Sequence, residues 1–314
     1  MAYTKLKPRH TKGSRVEEIS REDSHFLLSI PFGNADRYRL AQLDDYTQKR
    51  QRDFPLRNPI SITLSARASS ASIPGTWGFG LWNDPFGFSL GFGGNPWRLP
   101  ALPNAAWFFG ASEESYLSFR APRAEQSDEG NSRSVDEAQV AYVNRSSSTG
   151  FATNAQPSTH TVPKAASLRE RERYIPNGFL AQTFRSPKFH PLLILAGLAL
   201  PFSRKLARRL LGQVIEDEGV DLRKDKQLLV PTKVTDWHRY KLDWRENRVA
   251  FEVDDALVFE SSVSPHPPLG LVIWIDNQYA AFTPEGRIGF GVLENPEPAW
   301  LEVKDIEVKD IEVQ

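Results

Sequence analysis

An all-β sandwich is what this sequence predicts, and three observations predict it. Apolar and polar residues alternate with period two along many short segments. Gly and Pro, 20 and 23 of the 314 residues, fall between those segments as turn formers. Aromatic residues make up 11% of the chain, a composition that suits pleated, half-buried strands better than helices. Many short strands broken by turns indicate antiparallel sheets packed together, not a parallel sheet with crossover helices.

Residues 1–24 are polar and charged and are expected to form a flexible leader. The sandwich is then a single domain over 25–310, with 311–314 as a tail. In Ile60–Ala68, Ile60, Ile62, Leu64 and Ala66 alternate with Ser61, Thr63, Ser65 and Arg67, the signature of a strand with one buried face. Thr76–Trp82 alternates Trp77, Phe79 and Leu81 with glycine, and 86–92 alternates Phe86, Phe88, Leu90 and Phe92 with glycine or serine. Gly78, Gly80, Gly87, Gly91, Gly93 and Gly94 thereby strip one face of two strands nearly bare, which implies a bend, a close backbone or a ligand there. Further strands are predicted at 105–109, 116–120, 178–184, 237–244, Arg248–Val253, Ala256–Ser261, Gly270–Asp276, 287–293 and 300–308. Asp254-Asp255 reads as a tight hairpin turn. The final strand contains Val303-Lys-Asp-Ile-Glu repeated from Val308; a five-residue period suits neither helix nor strand, so a frayed extension is expected.

Two insertions interrupt the pattern. Residues 121–173 are rich in Ser, Glu, Arg, Gln, Asn and Ala, bury too little apolar surface to offset ordering entropy, and are predicted to be a disordered loop. Residues 190–219 are predicted to be a helical insertion, apolar at first and then basic, with Leu206, Leu210 and Val214 on one face and Arg204, Lys205, Arg208 and Arg209 nearby. Packing of this insert on the sandwich, as a wall or lid, needs only the fold itself. A peripheral membrane contact through 191–219 adds a partner that the overall charge does not favour.

That charge is zero, from 39 basic and 39 acidic side chains, so no global field attracts nucleic acid. The absence of cysteine excludes disulfides, thiolate catalysis and Cys-ligated zinc. The apolar run near 192–200 is too short to span a bilayer, and the polar N-terminus shows no secretory signal, so a cytoplasmic location is expected. His10, His25, His160, His190, His238 and His266 lack the i,i+2 or i,i+4 spacing of a zinc site, and no metal site is predicted. No phosphate loop, dinucleotide fingerprint or nucleophile elbow occurs, and no cofactor is expected. Oligomeric state is left open.

Candidate ligand contacts are the aromatic residues Trp77, Trp82, Trp97, Trp107 and Trp274, whose rings could stack on a sugar or another flat ligand. Trp82 is out of phase with Trp77, Phe79 and Leu81, and Trp97 lies in a Gly/Pro loop. Asp276, Asn277, Gln278 and Tyr279 form the densest polar cluster, of the types that hold hydroxyl-rich ligands or cap turns. Gln42-Leu-Asp-Asp-Tyr46 has a similar composition.

Several stretches in order resemble family 16 glycoside hydrolases and their concanavalin A-like relatives. Leu64-Ser-Ala-Arg-Ala68 followed by Gly75-Thr-Trp-Gly-Phe-Gly-Leu-Trp82 resembles that family's A-R-A and G-T-W strand pair. Trp237-His-Arg-Tyr-Lys-Leu-Asp-Trp244 with Val249-Ala-Phe-Glu-Val-Asp-Asp255 resembles its W-H-x-Y hairpin, and the run from Trp300 to Val308 resembles its closing strand. The resemblance covers roughly 35–120 and 178–310. It implies a concanavalin A-like jelly roll with a carbohydrate cleft on its concave face, and leaves room for a structural calcium. The family's catalytic strand carries three alternating carboxylates, which one strand face aims into one cleft. The corresponding stretch here offers only the adjacent Glu113 and Glu114, which a regular strand would point to opposite faces. A carbohydrate-binding or apolar-ligand protein without the hydrolytic triad is therefore expected; the alternative is a divergent enzyme using Glu113, Glu114 or Asp276.

Overall fold

The computed structural model describes residues 3, 5–85, 102–119, 177–187, 192, 202–223, 233–285 and 287–312. The chain divides into two compact units, 1–121 with 174–314, and 122–173. The predicted loop at 121–173, the strand at 86–92 with its glycines, and Trp97 lie outside the described residues.

Two seven-stranded antiparallel sheets form the main unit. The first runs in the order β1 (Lys7–His10), β4 (Leu40–Asp44), β13 (Gly270–Asp276), β6 (Thr76–Trp82), β7 (Ala105–Ala111), β8 (Gly178–Arg185) and β9 (Glu216–Asp221). The second runs β12 (Ala256–Ser261), β11 (Arg248–Val253), β10 (His238–Arg245), β5 (Ile60–Ala68), β16 (Ala299–Asp310), β3 (His25–Ile30) and β2 (Arg15–Ser20). The described residues also include a hairpin of β14 (Gln278–Phe282) and β15 (Ile288–Val292), a 3-10 turn at Gln51–Asp53 and the helix α1 (Arg204–Leu211). Alternate residues of each sheet meet in one apolar layer: Ala41, Leu43, Phe79, Leu81, Phe108, Ile273 and Ile275 against Ile62, Leu64, Tyr240, Leu242, Phe251 and Val303. This is the jelly-roll sandwich that the sequence predicted.

Turn chemistry holds where it was read. Asp254 and Asp255 both take positive φ, 50° and 65°, as a two-residue turn between β11 and β12 requires. The C-terminal repeat is not frayed. Val303 pairs with Ala66 and Val308 with Ile62, so five residues of β16 oppose four of β5. An odd repeat would turn Val308 to the wrong face; a bulge between Lys304 and Glu307, with Asp305 at φ 55°, absorbs the extra residue. Val303 and Ile306 are consequently both fully buried.

Four expectations are corrected. Within 1–24, β1 and β2 are paired strands, because Tyr3, Leu6 and Val16 pack against the core and the Tyr3 hydroxyl donates to Asp45 (2.6 Å). Residues 116–119 form no strand beyond a single bridge from Tyr116 to Ala281; the Ser118 hydroxyl and the Phe119 amide donate to Asp217 instead of to a ladder. The acidic run at 216–218 lies in edge strand β9, not in a helix. Finally, α1 turns Ala207 and Arg208 inward and leaves Leu206 exposed, and Val214 lies beyond the helix end. Ser203 caps α1, its hydroxyl accepting from the Leu206 amide (3.2 Å).

Candidate functional site: the aromatic outer face of the first sheet

Strand parity decides what each side of the first sheet presents. Phe79, Leu81, Ile273 and Ile275 face the second sheet, so Gly78, Gly80, Trp82, Val272, Trp274, Trp107, Phe109 and Phe184 face outward. Trp107 is the centre of this outer cluster. Its ring lies 5.3 Å from Phe109, 5.7 Å from Trp274, 5.9 Å from Phe184 and 6.1 Å from Trp82. Trp82 and Trp274 are parallel within 4° at 6.1 Å.

At Gly78 and Gly80 the space left by the missing side chains is filled by the protein's own atoms. A Cβ on Gly78 would sit 3.1 Å from the Trp274 ring and against the Phe108 carbonyl; one on Gly80 would lie 2.6 Å from Trp107 Cα. Both glycines thus let neighbouring backbone and ring approach closely, one of the three roles the sequence left open.

Polar tethers fix the rings. Trp107 Nε1 donates to Gln182 Oε1 (3.3 Å), and Gln182 Nε2 donates to the Leu117 carbonyl (2.6 Å). Trp274 Nε1 donates to Thr76 Oγ1 (3.0 Å), which in turn donates to Asp276 Oδ1 (2.8 Å). The Asp276 carboxylate also accepts from Tyr38 OH (3.1 Å), the Gln278 amide (3.1 Å) and the Thr76 amide (3.3 Å). Asp276 is 6% exposed, and burial raises its pKa to about 6 despite the opposing hydrogen bonds from Thr76, Gln278 and Tyr38.

The sequence-predicted residues separate accordingly. Trp107 and Trp274 are 4% and 7% exposed, and Trp82 is half-buried at the margin of the cluster. Trp77 belongs to the inter-sheet core, stacked on Phe179 at 5.0 Å, because it shares the parity of Phe79 and Leu81. Its place as a ligand contact is withdrawn. Asn277 is fully buried, accepting from the Arg39 amide (2.8 Å) and donating to the carbonyls of Arg37 (3.1 Å) and Leu293 (2.9 Å), so it works as a backbone anchor. Gln278 and Tyr279 are half-buried in β14, and the Tyr279 ring lies along Gly289 and Gly291 of β15.

Glu113 and Glu114 are exposed in the turn after β7. Gln42, Asp44 and Tyr46 form a closed turn network: Gln42 Nε2 donates to Asp44 Oδ2 (2.8 Å) and Tyr46 OH (3.2 Å), and Asp44 Oδ1 accepts from the Tyr46 amide (3.1 Å). No three His, Asp or Glu side chains converge to hold a metal among the described residues.

Tyr38, Thr76 and Gln182 were not singled out in the sequence. Thr76 and Gln182 sit at outward parity in predicted strands, which is the signal that could have found them. Arg208 was read only as one of four basic residues near the apolar helix face; in the structure its guanidinium donates to the carbonyls of Ser118 (2.7 Å) and Phe282 (2.8 Å), pinning α1 beside the β14–β15 hairpin. Leu211 of α1, with Leu117 and Phe119, packs against the aromatic cluster.

Fold and site together define a jelly-roll β-sandwich with a tryptophan-rich outer face on one sheet. No family model matches the chain, and no curated protein matches it. Among solved structures it is similar to the catalytic domain of an endo-1,3-beta-glucanase (laminarinase) from Thermotoga petrophila RKU-1, at 10% identity and TM-score 0.39, covering 96% of this chain and 82% of that one. It is also similar to a legume lectin-like domain from Entamoeba histolytica, at 7% identity and TM-score 0.40, covering 98% and 91%. A family 16 endo-glucanase from Bacteroides ovatus gives 9% identity and TM-score 0.40, covering 97% and 93%. Likeness at this level assigns no activity.

Proposed function

We propose that this protein binds an extended, hydroxyl-rich saccharide along the outer face of its first sheet, and binds it without cleaving it. The observation that carries this reading is that the half-buried Trp82 and, towards the other end of β6, Gln278 and Tyr279 border one face whose inner rings, Trp107 and Trp274, are buried and hold it rigid. Trp82 and Thr76 stand at opposite ends of β6. Six residue steps of about 3.3 Å separate them by about 20 Å. Only an extended ligand meets both ends, which favours an oligosaccharide over a compact apolar molecule. Trp82, half-buried at the margin, supplies the stacking surface, and Gln278 and Tyr279 supply hydrogen bonds at the far end.

Two features favour binding over hydrolysis. Strand β7 reads Ala-Ala-Trp-Phe-Phe-Gly-Ala without a carboxylate. Glu113 and Glu114, the carboxylates that follow β7, stand exposed in a turn and not on a strand face. A retaining glycosidase needs two carboxyl groups about 5–5.5 Å apart.

Affinity electrophoresis through gels containing β-1,3-glucan or mixed-linkage glucan tests the reading. Retardation is expected, weakened about 5- to 150-fold in Trp82→Ala, the range for losing an interface aromatic. Equal retardation of folded Trp82→Ala and Gln278→Ala proteins would refute it. Release of reducing ends that disappears in Glu113→Gln or Glu114→Gln would make the protein an enzyme instead.

A further inference from the structure

The insert was expected to lay Leu206 on the sandwich, and the structure points that side chain away from it. Successive helical residues turn by about 100°. Ala207, Arg208 and Leu211 occupy the inward arc of α1, which places Lys205, Leu206 and Arg209 on the opposite arc. Arg208 sets this orientation, because its fork reaches the Ser118 and Phe282 carbonyls only when that arc faces the protein. Phe202, just before the Ser203 cap, is 91% exposed, and Leu206 is 48% exposed. Arg204, Lys205 and Arg209 are also exposed, and none has an ion-pair partner among the described residues. The carboxylates that approach this helix, Asp217 and Glu285, act on the buried Arg208.

We infer that α1 and Phe202 form a docking surface for an anionic phospholipid bilayer. Two protruding apolar side chains flanked by two cations without an ion-pair partner among the described residues match the two parts of such a surface: acyl boundary for Phe202 and Leu206, headgroup charge for Lys205 and Arg209. A zero net charge does not weigh against this, because attraction to a charged surface acts over about a Debye length, roughly 8 Å, and is set by local charge. In sequence, residues 191–203 before the helix carry no charge at all, so no acidic group there opposes the contact. The contact is peripheral: no helix among the described residues is long and apolar enough to cross a membrane. Arg208 is the positioning residue, since it holds the helix with this arc outward.

Flotation of the full chain with phosphatidylcholine vesicles, with and without phosphatidylserine, decides the matter. Flotation is expected only with phosphatidylserine and should fall as salt rises. Each charge reversed in Lys205→Glu/Arg209→Glu should weaken it by about fivefold or more. Phe202→Ser/Leu206→Ser should weaken it at unchanged charge. These side chains are exposed, so both variants should remain folded, with circular dichroism as the check. No flotation, flotation equal on phosphatidylcholine alone, or binding that survives either variant would overturn the proposal. So would concentration-dependent self-association abolished by Phe202→Ser/Leu206→Ser, which would make the patch a contact between copies of this chain.

Discussion

Asp276 should make this protein less stable at neutral pH than in mild acid, and removing its charge should flatten that dependence. Its carboxyl group is buried where β13 ends, and its pKa rises from 3.8 to about 6. The folded state therefore holds this proton more tightly than the unfolded chain between those two values. Stability from the protonated form is full below about pH 3.8 and is lost as pH rises through about 6. A shift of about two units corresponds to at most about 3 kcal/mol. Asp45, also raised to about 6 by burial, adds a similar contribution of its own. In Asp276→Asn, the amide oxygen can keep the Thr76 and Gln278 donors of Oδ1, while Tyr38 turns its hydroxyl to accept from the new NH2. Urea unfolding of both proteins at about pH 4 and about pH 7 isolates the effect, because the other titrating groups cancel in the difference. The loss of stability from acid to neutral should be smaller in Asp276→Asn by up to about 3 kcal/mol. Identical pH dependence in the two proteins, or a steeper loss in Asp276→Asn, would refute the reasoning.

Two further outcomes follow from packing. Gly80→Ala places a methyl group against the Ala106 carbonyl and Trp107 Cα, and should cost about 1–3 kcal/mol in urea unfolding; wild-type stability would mean that β6 and β7 have room to part. Arg208→Met keeps an unbranched apolar stem but removes the guanidinium that donates to the Ser118 and Phe282 carbonyls, at about 1–3 kcal/mol, and should speed proteolytic cutting within 202–215. Unchanged cutting would show that Ala207 and Leu211 suffice to hold α1.

Strand identity was legible wherever one face is apolar and the other is not. The bounds of β5 and β6 follow from alternation, and those of β11, β12 and β13 agree with the short apolar segments read between turn formers. The pattern failed where burial is polar. In β4, Gln42 and Asp44 are as buried as Ala41 and Leu43, because a hydrogen-bond network satisfies them, and Leu-Ala-Gln-Leu-Asp shows no alternation to read. In β9, Glu-Asp-Glu-Gly-Val-Asp looks like a solvated helix end, yet Asp217 accepts from Ser118 and Glu218 from the Ser261 hydroxyl (2.6 Å). Donors 99 and 43 residues away in the chain leave no local trace.

The sequence by itself determined the fold class, most strand bounds, the turn at Asp254-Asp255 and the parity that separates Trp82 from Trp77, because each depends only on the alternation of neighbouring residues. Only the tertiary structure decided which parity faces the second sheet. That choice makes Trp77 core and leaves Trp107 and Trp274 on the outer face, and it depends on which strands pair across the whole chain. The structure likewise decided which arc of α1 is buried. Helical periodicity favours the leucines, but a guanidinium that donates to the Ser118 and Phe282 carbonyls outweighs them and turns Leu206 to solvent.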